Sequence, residues 1–219
     1  MISIASQFLF FIETLLFISV IFMHLTRKNF TAIFLYAAQA LIISIALFYS
    51  SLREASLLLL VVTIITFLVK VVIAPYFFFG LIKKHRLQFS ASTYLNGPTT
   101  LIILALLTAF SYSYFFQPLT SLAPDDGNAL LLAMGMMFIS IFLIVNRKGV
   151  LSQMIGILSL ENAIVSFVYI ARLETTAGSQ LGILFNILIW IIIATVFASM
   201  IYRHFGSLDA SAMRHLKEE

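Results

Sequence analysis

Glu161, Lys70 and Glu13 are ionisable residues that stand where hydrocarbon would be expected to surround them. Glu161 lies near the centre of Leu151 to Tyr169, LSQMIGILSLENAIVSFVY, an apolar stretch of membrane-spanning character. Ionising an isolated acid in a bilayer is expensive, so such residues usually face a protein interior or a water-filled path and serve ion or proton transfer. At helical spacing Glu161 shares a face with Ile157, Val165 and Val168, while Ser152, Ser159, Asn162 and Ser166 gather along another stripe. Both faces want protein neighbours. The alternative is a protonated carboxyl that makes one interhelical hydrogen bond.

Lys70 sits about halfway along Ala55 to Lys83, too deep for its stem to reach either interface comfortably. Thr63 and Thr66 fall on its face one and two turns back, so hydroxyls line the approach to the amine. Pro75 has no N–H and clashes with the carbonyl of Val71, which frees that oxygen for water or a cation. The spacing points to a proton carrier, with a structural ion pair as the alternative. Glu13, among Phe10, Phe11, Thr14 and Phe17, is a second buried acid with nothing else polar at its own helical spacing. It is either a proton carrier or an interhelical tie. Gln39 sits among Ala37, Ala38 and Ala40, a setting for close helix packing with one polar contact. Gln153, two turns before Glu161, and Asn186 complete the polar residues expected to touch other helices.

The elements that must position these residues follow from composition. The 219 residues are 62% hydrophobic and 10% charged, and the mean hydropathy is +1.08. That excludes a soluble globular domain and predicts a polytopic membrane protein. The net charge of +4 is carried in short basic clusters between apolar runs, which excludes a spread nucleic-acid-binding surface. With no cysteine, the chain holds no disulfide, thiolate-bound metal or iron–sulfur cluster, so the sequence predicts no cofactor of its own. His24, His85, His204 and His215 show no ligand spacing and read as interfacial side chains, not a metal site. Asp125 and Asp126 read as a solvated loop, since adjacent carboxylates fall short of a calcium shell. No nucleophile, base and orienting group assemble, so no catalytic residue is assigned.

Seven apolar stretches are each long enough to cross a bilayer: Ile4 to Leu25, Thr31 to Ser50, Ala55 to Ile82, Thr99 to Pro118, Gly127 to Asn146, Val150 to Ala171 and Gly178 to Tyr202. The first lacks a basic leader and reads as a retained span. The chain thus reads as all-α, a single transmembrane bundle of three helices in 1–86 and four in 98–219. LQFSASTYLNGP joins the two groups as an interfacial loop whose Asn-Gly-Pro end marks a turn. Basic residues fall overwhelmingly on one side, including Arg27, Lys28, Lys83, Lys84, Arg86, Arg147, Lys148 and Arg203, against Arg53 and Arg172 on the other. The positive-inside rule then puts the N-terminus outside and the C-terminus in the cytoplasm, in a bacterial inner membrane.

QMIGILSLENA around Glu161, YRHFGSLD after the seventh stretch, LYAAQAL around Gln39, LVKVVIAP around Lys70 and NGP at Asn96 to Pro98 together resemble component E of hydrogenase-4, of the formate hydrogenlyase family, over nearly the whole chain. GILSLENA also resembles the small K-type subunit of complex I. The resemblance implies a membrane-arm subunit of a group 4 hydrogenase or complex I-like assembly, with antiporter-like and quinone- or hydrogenase-module subunits as partners. In such a machine Glu161 belongs to a chain of buried charges that moves protons, and Lys70 matches the family lysine. On the seventh stretch the related proteins tend to carry an acid where this sequence has Asn186, and an amide holds water but carries no charge. The expectation is a non-redox accessory subunit that conducts or gates protons. A subunit of a multisubunit cation/proton antiporter and a purely structural membrane subunit are the alternatives.

Overall fold

The computed structural model describes residues 4–53, 55–85 and 92–171. Among them the chain is all-helical: α1 (Ile4–Leu25), α2 (Asn29–Arg53), α3 (Leu57–Phe67), a π-helical segment (Leu68–Ile73), α4 (Ala74–His85), α5 (Gly97–Ser111), a 3-10 helix (Tyr114–Leu122), α6 (Gly127–Asn146) and α7 (Val150–Ile170). The seventh apolar stretch with Asn186, the tail with His204 and His215, and the side chains of Arg53 and His85 lie outside the described residues. Long apolar sequences take this form because a backbone in hydrocarbon must satisfy its own N–H and C=O groups. Five helices are long and apolar enough to cross a membrane, with α3, the π segment and α4 counting together as Leu59–Lys83. Helices of this length and hydropathy are those of an integral membrane protein.

The fourth stretch does not form one straight helix. α5 ends at Ser111, and the chain bends by 59° into the 3-10 helix that contains Pro118. Proline cannot supply the N–H that would continue an α ladder, and the bend leaves α5 shorter than a bilayer crossing requires. Its start follows the sequence closely: the Asn96 side chain accepts from the Thr99 N–H at 2.9 Å, with Pro98 in the first turn.

α6 and α7 form the central hairpin, with α1 and α5 against α6 and α2 against both α1 and α7. Small residues allow the close approaches. A Cβ at Gly156 of α7 would stand 2.9 Å from Ile144 Cγ1 and 3.3 Å from the Ile144 backbone nitrogen on α6. Gly135 of α6 similarly faces Ser111, whose Oγ would be 2.9 Å from an added Cβ. One buried cluster joins Met23, Tyr36, Phe78, Leu143, Ile155 and neighbours at one end. A second around Leu16, Val20, Leu104, Met136 and Ala163 fills the middle. Phe8, Phe11, Phe22, Phe30 and Phe34 project outward, as lipid-facing residues do.

Candidate functional site

The site begins with the backbone that carries Lys70. Between Leu68 and Ile73 the helix widens to the π form, and the Ala74 N–H reaches back to the Val69 carbonyl, five residues earlier. In that register the oxygen facing Pro75 belongs to Lys70 itself, not to Val71 as an unbroken α ladder requires. The widened turn lies at the inner face of the bundle, and both Val69 and Lys70 are buried.

Lys70 is 1% exposed and forms an ion pair with Glu161 of α7, donating to its Oε2. The same ammonium donates to Asn162 Oδ1 at 3.1 Å. An ammonium has three N–H donors and no acceptor, so a carboxylate and an amide oxygen are the partners it needs when dehydrated. Glu161 is 18% exposed against 1% for Lys70, so the carboxylate is the less enclosed member of the pair. Tyr36 of α2, which packs against α7, is fully buried. Among the described residues, Glu161 Oε1, Asn162 Nδ2 and the Tyr36 hydroxyl are buried without a hydrogen-bond partner. Thr63 and Thr66 are buried on the face of Lys70, but their hydroxyls donate to the carbonyls of Leu59 and Val62 at 2.8 Å. What they offer the amine's surroundings is lone pairs, not protons.

The serines of α7 each find a partner on another helix, while among the described residues Asn162 is partnered only at its Oδ1. Ser152 donates to Asn29 Oδ1 on α2 at 2.9 Å, Ser159 meets Ser140 on α6 at 3.3 Å, and Ser166 donates to Glu13 Oε2 on α1. Glu13 is 1% exposed. Its polar partner comes from a helix more than a hundred residues away, which is why its own helical spacing held no sign of one. Gln39 is wholly buried and donates to the Leu16 carbonyl of α1 at 3.4 Å. Gln153 turns away from Glu161 and donates to the Arg147 carbonyl at 2.8 Å, closing the α6–α7 turn.

That turn contains a residue that the sequence reading took only as a topology signal. Arg147 is 2% exposed, and its guanidinium donates to the carbonyls of Met23, His24 and Thr26. The last carbonyls of α1 have no partner within their own helix, and the negative end of the helix dipole favours a cation there. Burial pushes the guanidinium down to about 10, which leaves it charged at neutral pH. The turn is also clamped to the segment before α5, where Thr93 pairs with Arg147 as an isolated β-bridge. Asn146 Oδ1 accepts there from the Leu95 N–H at 3.0 Å. His24, in the last turn of α1, is buried against α6, with Nε2 2.9 Å from the Ile139 carbonyl and its ring stacked on Phe142. A basic residue after an apolar run looks the same in sequence whether it meets water or another helix end.

Among the described residues no three His, Cys, Asp or Glu side chains cluster as a metal site would require. No family model matches the chain, and no solved structure matches it. An uncharacterized protein of Mycobacterium tuberculosis, Rv0085, is 27% identical over 132 residues. That likeness covers 60% of this chain and 60% of the relative, so the chain spans about 60% of the length of the curated relative it matches.

Proposed function

We propose that this chain is a non-redox membrane subunit whose Lys70–Glu161 pair takes part in moving protons within a complex I-like or group 4 hydrogenase-type assembly. The observation that carries the reading is the pair itself. Two opposite charges on separate helices are held together inside an apolar bundle, with Glu161 Oε1 and Asn162 Nδ2 beside them and unpartnered among the described residues. A buried ion pair is weak support for stability, since apolar replacements of similar volume are often as stable. A titratable pair with spare polar atoms, at membrane depth, suits a group that changes its charge state.

The assembly rests on the resemblance of QMIGILSLENA, LVKVVIAP and LYAAQAL to hydrogenase-4 component E. Electron transfer and any redox cofactor then belong to partner subunits of the membrane arm. With the bent fourth stretch counted as one crossing, the apolar stretches of the sequence give seven spans, and the basic-residue asymmetry then supports an outside N-terminus and a cytoplasmic C-terminus in a bacterial inner membrane. The experiment is co-purification of the tagged full chain in mild detergent, with partners identified by mass spectrometry. Antiporter-like and quinone- or hydrogenase-module subunits in stoichiometric amount are expected. An antiporter complex without any redox subunit would place the chain in a cation/proton antiporter instead.

A further inference from the structure

The orphaned polar atoms do not end at the ion pair. Glu13 Oε1 and Gln39 Oε1 are also buried without a partner among the described residues, as are Tyr36 Oη, Asn162 Nδ2 and Glu161 Oε1. Their hosts lie on α1, α2 and α7, helices that pack against one another or share a neighbour. Along α7, Asn162 and Ser166 are four residues apart, about 6 Å of axial rise. Along α2, Tyr36 and Gln39 are three apart, about 4.5 Å. Along α1, the Leu16 carbonyl that Gln39 bonds is three residues from Glu13, again about 4.5 Å. Steps of one helical turn therefore lead from Lys70, Glu161 and Tyr36, past Asn162 and Gln39, to Ser166 and Glu13.

More than nine in ten buried polar groups in native proteins have a hydrogen-bond partner, so several orphans along one line need an explanation. Ordered water supplies it where a site is polar and each molecule can find two to four partners. We infer that a water-filled seam between α1, α2 and α7 connects Glu13 with the Lys70–Glu161 pair, and that Glu13 is a second proton station along it. Ser166 occupies Glu13 Oε2, which leaves Oε1 as the working atom. A proton crossing the seam makes and breaks only O–H bonds: Oε1 takes it from one water and returns it to another on the Asn162 side. Gln39 and Asn162 hold those waters without taking up the proton. This inference rests on the proton-moving role proposed for the ion pair, but the water itself can be tested separately.

The natural chain has no cysteine, which makes single-cysteine variants clean reporters. In full-length chain reconstituted in lipid, Gln39→Cys and Ser166→Cys are exposed to silver ion, a soft cation close to water in size that thiolates bind. Val20→Cys, in the apolar cluster two turns from Glu13, is the dry control. Silver is expected to block the thiols at 39 and 166 at least about tenfold faster than at 20, because thiolate forms only where water reaches it. Equal, slow blocking at all three positions overturns the seam and leaves the role of the ion pair standing. In the reconstituted assembly, Glu13→Gln is expected to slow proton movement by at least about tenfold, the low side of what a positioned proton-transfer group contributes. Full-rate transport in Glu13→Gln, alongside a transport-dead Glu161→Gln, overturns the second station alone. Full-rate transport in both removes the proton-moving role of the pair, and a fast silver reaction would then mark water with no transport function.

Discussion

Replacing one member of the Lys70–Glu161 pair should cost far more than replacing both. Lys70→Met removes the ammonium and leaves a carboxylate beside Tyr36 and Asn162 with no counter-charge. Glu161→Met strands an ammonium that is 1% exposed, with only Asn162 Oδ1 to accept from it. Breaking a buried pair from one side costs on the order of 3–5 kcal/mol. The lower end is expected for Lys70→Met, because the uncompensated carboxyl can take up a proton and become neutral. Lys70→Met/Glu161→Met replaces both charges with flexible apolar chains of similar length and should lose no more than about 1 kcal/mol. The interaction energy from the cycle is then about 5–7 kcal/mol, well beyond the ~0.5 kcal/mol scatter of independent sites. Reversible unfolding of the purified chain in mixed micelles measures all four corners. Single losses that simply add in the double variant would refute the pairing, and so would a double variant worse than either single one.

Other outcomes follow from the same contacts. Arg147→Met leaves the carbonyls of Met23, His24 and Thr26 without their cation and should destabilise the fold by about 3 kcal/mol in the same unfolding assay. Arg147→Lys should recover only part of that loss, since an ammonium cannot reproduce the planar fork of a guanidinium. Gly156→Ala drives a methyl against the Ile144 backbone and should cost about 1–3 kcal/mol, whereas Gly80→Ala, with nothing within 4 Å, should be neutral or slightly stabilising. A topology reporter fused after Glu219 should be active only in the cytoplasm and one inserted at Asp125 only outside; activity of both on one side would mean a miscounted span, with the bent α5 and 3-10 pair the first place to look.

The helical architecture was legible because hydrocarbon imposes it: α1, α2, α6 and α7 fall within a few residues of the apolar stretches at Ile4, Thr31, Gly127 and Val150. The fourth stretch was not, because hydropathy counts residues and is blind to direction. Phe115 and Phe116 are apolar whether or not the helix turns before Pro118. Lys70, Glu161 and Glu13 stood out as charges where water should be absent, but their partners did not. Lys70 and Glu161 are 91 residues apart in sequence, and Glu13 and Ser166 are 153 apart. Helical periodicity relates residues only within one helix, so no spacing rule reaches such pairs. The same limit hid the task of Arg147, whose partners are backbone carbonyls that carry no residue-type signature.

The central claim turns on whether Glu161 holds a hydrogen bond or changes its charge. Glu161→Gln keeps the shape and an acceptor for the Lys70 ammonium but removes its counter-charge, so a purely structural tie should lose stability on the order of 3–5 kcal/mol yet leave uptake per assembled complex unchanged. Glu161→Asp keeps a titratable group but withdraws it by one methylene from Lys70. Proton uptake into vesicles carrying the reconstituted assembly, normalised to the amount assembled, separates the two. The account predicts that Gln abolishes or strongly reduces uptake while Asp retains part of it, because only an acid exists in both protonation states. Wild-type uptake in an assembled Glu161→Gln complex would contradict it.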